Sequence, residues 1–209
     1  MFTDVSGLDL VVVLVSIVIA LSIHEAMHGY VAHWLGDDTA HLEGRLTLNP
    51  LVHIDVFTTV LLPLVLILMH VPPIFAAKPV PFNPSKLKYD EFGAALVGIA
   101  GPLTNLVLAG IAALIFRGFG QELSSFAYNA IIIFTAVNVG FFVFNMIPIP
   151  PLDGSRLLYA FAPEPVREIM QQIESLGFMA ILFLFVIIIQ FGAGPLVQIQ
   201  QSILNFLLI

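Results

Sequence analysis

Charged residues are confined to a few short stretches of this 209-residue chain, and the intervals between them decide what it can fold into. Residues 10–24, 56–77, 92–116, 123–152 and 175–209 contain no Asp, Glu, Lys or Arg. A helix that crosses the hydrocarbon of a bilayer needs about 20 predominantly apolar residues. The third and fourth intervals have that length, and the first reaches it if its helix continues through His24 to about Leu35. Only 10% of the residues are charged, against about 25% in soluble domains. That excludes a soluble globular enzyme, a nucleic-acid binder and a disordered tail. It leaves a polytopic helical protein in a lipid bilayer. The net charge of -7 offers no basic patch for phosphates. Cysteine is absent, so any metal must be held by His and carboxylate.

His24-Glu25-Ala26-Met27-His28 has the form H-E-x-x-H. On a helix, residues i and i+4 share a face, so both imidazoles can meet one ion while Glu25 stands beside it. A chance match somewhere in a chain of this composition is expected roughly 1% of the time. Ionisable side chains next to a membrane-depth helix are costly and mark function by default. The competing interpretation is a helix end at the interface, where these side chains merely meet water.

A structural zinc site uses four protein ligands, whereas a catalytic one uses three and leaves the fourth position to water. A third ligand is therefore required. His33 is i+5 from His28 and rotates off the face, toward the headgroup level. Asp153 is the better candidate, in Asn145-Met-Ile-Pro-Ile-Pro-Pro-Leu-Asp-Gly154 directly after the fourth apolar interval. Pro148, Pro150 and Pro151 remove amide donors and end the helix. Irregular backbone at membrane depth is tolerated only where it is buried in protein or lines a cavity. Asp153 can also cap a following helix over 154–161, and one residue can do both.

Three motifs in order now make the sequence recognisable: His24-Glu-Ala-Met-His28, Gly98-Ile-Ala-Gly-Pro-Leu-Thr-Asn105, and Asn145 through Pro148-Ile-Pro-Pro-Leu-Asp153-Gly. The chain resembles the site-2 protease family of intramembrane zinc metalloproteases, in its minimal form without a PDZ domain. The resemblance implies one zinc per chain, held by His24, His28 and Asp153, with Glu25 as general base and Asn105 near the active site. It implies hydrolysis of peptide bonds within or near transmembrane segments of membrane-protein substrates, as in regulated intramembrane proteolysis. Asn105 could donate to a developing oxyanion, orient substrate, or make an interhelical hydrogen bond. His41, His53, Asp55 and His70 read as loop or interface residues. A zinc- or proton-coupled transporter would also place His and acids at midplane, but inverted repeats and paired broken helices are not visible. A non-catalytic binding protein would lack Glu25.

The ligands must lie at one depth, which constrains topology. Val56–Met69 is only 14 residues long and contains Pro63, so it reads as a re-entrant element that returns through Pro72-Pro73. Arg45, Lys78, Lys86, Lys88, Arg156 and Arg167 then share one side, with Arg117 opposite. That positive-inside bias puts the site toward the cytoplasmic half of the cell membrane and the N-terminus outside. In Ala77-Lys-Pro-Val-Pro-Phe-Asn-Pro84 the prolines forbid a helix and suit an edge strand. Such a strand could bind unwound substrate through Lys78, Val80 and Phe82, with Asn145 nearby; the alternative is a rigid joining loop. The resemblance favours the strand.

The expected fold class is therefore an all-α polytopic membrane protein, with about five membrane helices plus a re-entrant element and a small β-strand region. A single domain fills 1–209, its catalytic core at about 8–162. The remainder, 174–209, divides at Gly192-Ala-Gly-Pro195 into an apolar membrane helix and a Gln-containing interfacial tail. A removable signal peptide is not expected, because no A-x-A cleavage site follows Val11–Leu21. Reporter fusions after Arg117 should read external, and fusions after Lys88 and Arg167 cytoplasmic. An external Lys88 loop contradicts the re-entrant topology.

Overall fold

A computed structural model of the chain describes residues 6–55, 61, 78–188, 190 and 193–209. Three long helices dominate: α1 (Gly7–Trp34), α4 (Asp90–Phe119) and α5 (Ser125–Asn145). Between α1 and α4 the described residues include two single-turn helices, α2 (Thr39–Leu42) and α3 (Pro50–His53). After α5 come α6 (Ser155–Phe161), α7 (Glu164–Ser175), α8 (Phe178–Ile187) and α9 (Ala193–Leu208).

Two of the long helices, α1 and α5, start where the sequence supplies a side-chain cap. Ser6 and Asp9 form a reciprocal capping box at α1, and the Ser124 hydroxyl accepts the Ala127 amide at α5. At about 1.5 Å per residue, α1 is about 42 Å long. α4 presents a buried stripe of small residues, among them Ala94, Gly98, Gly101, Ala109 and Ala113, to its neighbours. Small residues let apolar helices approach closely where lipid provides no hydrophobic drive for association. α1, α4 and α5 pack against one another as a three-helix core.

Two expectations need correction. Among the described residues three helices, not about five, are long and apolar enough to cross a membrane; a fourth crossing is counted only if α7 and α8, bent by 105°, are taken as one span. In the last apolar interval the described helices have 10 and 16 residues, each short for a crossing on its own. There is also no β-strand among the described residues. Lys78–Asn83 is extended chain followed by a short 3-10 turn, Pro84–Lys86. Three of its four amides are spent elsewhere: Lys78 N–H donates to the His53 carbonyl (2.8 Å), Val80 N–H to Glu25 (2.9 Å), and Asn83 N–H to Asp37. Pro79 and Pro81 have none to give, so no ladder can form. The proposed re-entrant element over 56–69 lies outside the described residues, as does His70.

The extended segment is strapped across α1 by Asp37, which is buried just beyond the helix end. Burial alone pushes the Asp37 carboxyl up, but hydrogen bonds from the Thr39 hydroxyl, the Asn83 and Thr39 amides, and the nearby Lys86 charge hold it below the usual carboxylate range. Phe82 packs on Ala32, Leu87, Ala94 and Val97, closing the joint between α1 and α4. The C-terminal helix α9 packs against α4 and α5. Leu196, Ile203 and Leu207 pack on Ala109, Val139 and Val143, and Gln200 donates to the Ala136 carbonyl at 3.1 Å.

Candidate metal centre

The site is built from one helix face, one proline turn and one glycine. His24 and His28, one turn apart on α1, bring their Nε2 atoms to 3.0 Å, with the rings edge-to-face. After α5 the chain turns through its prolines and is closed by Gly154 N–H donating to the Asn145 carbonyl at 2.7 Å. A Cβ on Gly154 would meet the Met146 carbonyl oxygen at 2.4 Å, so only glycine closes this turn. The turn delivers Asp153 Oδ2 to 3.0 Å from His24 Nε2 and 3.4 Å from His28 Nε2. Asp153 does not cap α6: Gly154 holds the N-cap position without a side-chain cap.

The donor set fits zinc. Metal–ligand bonds of about 2.0–2.1 Å in a tetrahedron put ligand atoms about 3.3 Å apart, close to the spacing here. Tautomers agree with that. His28 Nδ1 lies 2.7 Å from the Val97 carbonyl, which can only accept, so the ring proton sits on Nδ1. His24 Nδ1 likewise donates to Asn105 Oδ1 at 2.6 Å. In their neutral forms both rings therefore turn bare Nε2 lone pairs toward each other and toward a carboxylate, an arrangement that a cation relieves. Among the described residues this is the one cluster of three potential ligand atoms, all within 4.8 Å of one another.

Gly101 makes the approach possible. A Cβ there would stand 2.5 Å from His28 Nε2 and 2.6 Å from His24 Nε2, in the space an ion needs. Gly98 one turn earlier plays the same part for Arg156 Cβ and the Asp153 carbonyl, at 2.7 and 3.0 Å. Gly98, Gly101 and Asn105 are thus three contacts on one face of α4 with the ligand cluster. Glu25 is buried beside it, its Oε2 accepting the Val80 amide.

The other singled-out residues fall elsewhere. Asn105 is fully buried behind His24, and its amide nitrogen donates to Asn138 Oδ1 (3.0 Å) and the Ala20 carbonyl (3.3 Å). Both ends of that amide are engaged, which supports orientation of His24 rather than donation to an oxyanion. Asn145 turns its side-chain amide to the Phe141 carbonyl of its own helix at 3.1 Å and serves the site through its main-chain oxygen. Lys78 is exposed and contributes a main-chain hydrogen bond. His33 is exposed at the end of α1, 2.7 Å from Asp38. His53 is buried with Nε2 on the Thr47 carbonyl. Sequence reading missed Asn138 and Arg156. Asn138 was visible as one of three amides, with Asn129 and Asn145, in an apolar run. Arg156 forms an ion pair with Glu174 at 2.7 Å and lies over the Phe82 ring, tying the strap to α6 and α7.

Two curated relatives match most of the chain. "Putative zinc metalloprotease YwhC" of Bacillus subtilis (strain 168) is 39% identical over 179 residues, covering 82% of this chain and 78% of the relative. The chain belongs to the site-2 protease family. "Putative zinc metalloprotease Rip2" of Mycolicibacterium smegmatis is 26% identical, over 84% of this chain and 67% of the relative. No family model and no solved structure matches. This site-2 protease relative is a membrane-embedded metalloprotease with zinc as its cofactor.

Purified protein should carry about one zinc per chain, lost in His24→Ala, His28→Ala and Asp153→Ala. Gly101→Ala should lose it too while keeping all three ligands. Full zinc occupancy in the Asp153 variant removes Asp153 from the site.

Proposed function

We propose that this protein hydrolyses peptide bonds within or next to transmembrane segments of membrane-protein substrates, with His24, His28 and Asp153 as zinc ligands and Glu25 as general base. The observation that carries the reading is depth. His28 lies six residues before the end of α1, about 9 Å inside it at 1.5 Å per residue, and His24 about 15 Å. Both are buried in the packed core of the three apolar helices. A protease of soluble loops has no need to put its ligands there, where ionisable groups are costly.

When bound, zinc supplies Lewis-acid chemistry, making water a nucleophile near neutral pH and polarising the scissile carbonyl. The chain's own residues do the rest. Glu25 spends Oε2 on the Val80 amide, so that its carboxylate is held in one orientation with the second oxygen left to accept a proton and return it to the leaving amine. Asp153 and the two imidazoles would hold the zinc as three protein ligands, the number that a catalytic site uses. Val97 and Asn105 hold the imidazoles with Nε2 outward. A helical substrate hides its peptide bonds, so it must unwind locally. Substrates with small or helix-weakening residues near the cut are favoured for that reason. With the cationic loops inside, the site opens to the cytoplasmic half.

The test uses the full chain in lipid nanodiscs with a labelled single-span reporter whose helix carries Gly and Pro near its middle. Wild type should cut inside the apolar segment, mapped by mass spectrometry. Glu25→Gln should keep its zinc and lose about 10²–10⁴-fold in rate. Cleavage only in the soluble flanks, or an undiminished rate in Glu25→Gln, contradicts the reading.

A further inference from the structure

Asn138 sits midway along α5, completely buried, with no part in the cluster itself. Its Nδ2 donates to the Phe134 carbonyl at 2.9 Å, and its Oδ1 accepts from Asn105 Nδ2 at 3.0 Å. Asn105 in turn accepts from His24 Nδ1. The three side chains come from three different helices, α5, α4 and α1.

The direction of this chain is not free. A carboxamide has a donating end and an accepting end. The Phe134 carbonyl can only accept, so Asn138 must face it with Nδ2 and turn Oδ1 toward Asn105. Asn105 must then answer with Nδ2, which also meets the Ala20 carbonyl at 3.3 Å. That leaves Oδ1 of Asn105 for His24, and an acceptor there demands a proton on Nδ1. Reversing either amide would set oxygen against a main-chain oxygen, and buried like poles of this kind are costly. With the proton on Nδ1, His24 Nε2 is left as a lone pair, the form a metal requires.

We propose that Asn138 is a positioning residue for zinc: through Asn105 it fixes the tautomer of His24, so that a main-chain carbonyl on α5 decides whether a nitrogen on α1 can be a ligand. The proposal rests on the reading of His24 as a zinc ligand. It assigns to α5 a role besides carrying Asp153 at its far end.

The experiment is a chelator-competition measurement of zinc affinity on the full-length protein in detergent. Asn138→Leu keeps the shape and removes both hydrogen bonds. It should weaken zinc binding about tenfold, and Asn105→Leu by about 10–100-fold, the range for partners behind metal ligands. Asn138→Asp, whose protonated carboxyl again offers one donor and one acceptor, should bind within about threefold of wild type. A change in packing alone would not distinguish Asp from Leu in this order. In addition, zinc-free wild type with 15N-labelled histidine, at a pH that leaves the ring neutral, should show the His24 proton on Nδ1. The His24 signal is assigned by its loss in His24→Gln. A proton on Nε2 overturns the proposal whether or not the Leu variant folds. So does wild-type zinc affinity in Asn138→Leu, or equal weakening in Asp and Leu. If His24→Ala keeps its zinc, the ligand assignment itself has failed, and the two failures are told apart.

Discussion

Two imidazole Nε2 atoms 3.0 Å apart, bare in the neutral rings and facing a carboxylate inside an apolar helix bundle, form an arrangement that a cation completes. The surrounding structure is arranged to keep it. Val97 and Asn105 hold the protons on the far nitrogens, and Gly101 keeps the space in front of them empty of side chain. The proline turn, locked by Gly154 on the Asn145 carbonyl, carries Asp153 back into the core at the level of α1's last turns. Each is a contact between segments far apart in sequence. The apolar packing of α1, α4 and α5 sets the frame, and the small residues of α4 let the helices come close enough for these contacts.

Much of this was legible in the sequence because its physics is local. Charge-free intervals marked α1, α4 and α5, and the four-residue spacing put His24 and His28 on one face with Glu25 beside them. Asp153 could be picked out because prolines at membrane depth need a buried reason to exist. What the sequence could not supply was how the strap Lys78–Asn83 spends its amides. Alternating prolines look alike in an edge strand and in a strap. The difference is that Asp37, Glu25 and the His53 carbonyl take three of the four N–H groups, and no local pattern reveals a partner 46 or 55 residues away. The packing of α9 was hidden for a related reason: it depends on tertiary contacts of Leu196, Leu207 and Gln200 with α4 and α5.

Asn105 shows the same limit from the other side. A lone amide in an apolar helix advertises a buried hydrogen bond, and from sequence it serves equally as oxyanion donor, substrate contact or interhelical tie. Only the positions of His24, Ala20 and Asn138 around it favour the orienting role. The strap gives a parallel case: Val80 reaches the chemistry through its main-chain amide on Glu25, while its side chain packs near Gly29. In both, the contact that the structure shows is one that holds a neighbouring side chain.

The most direct measurement is X-ray absorption at the zinc edge on the purified, zinc-loaded protein in a bilayer mimic. The expected shell is four-coordinate, with two imidazoles and two oxygens at about 2.0–2.2 Å, one from Asp153 and one not from the protein. A third imidazole, or a shell without imidazole, contradicts a site made of His24, His28 and Asp153 with one position open.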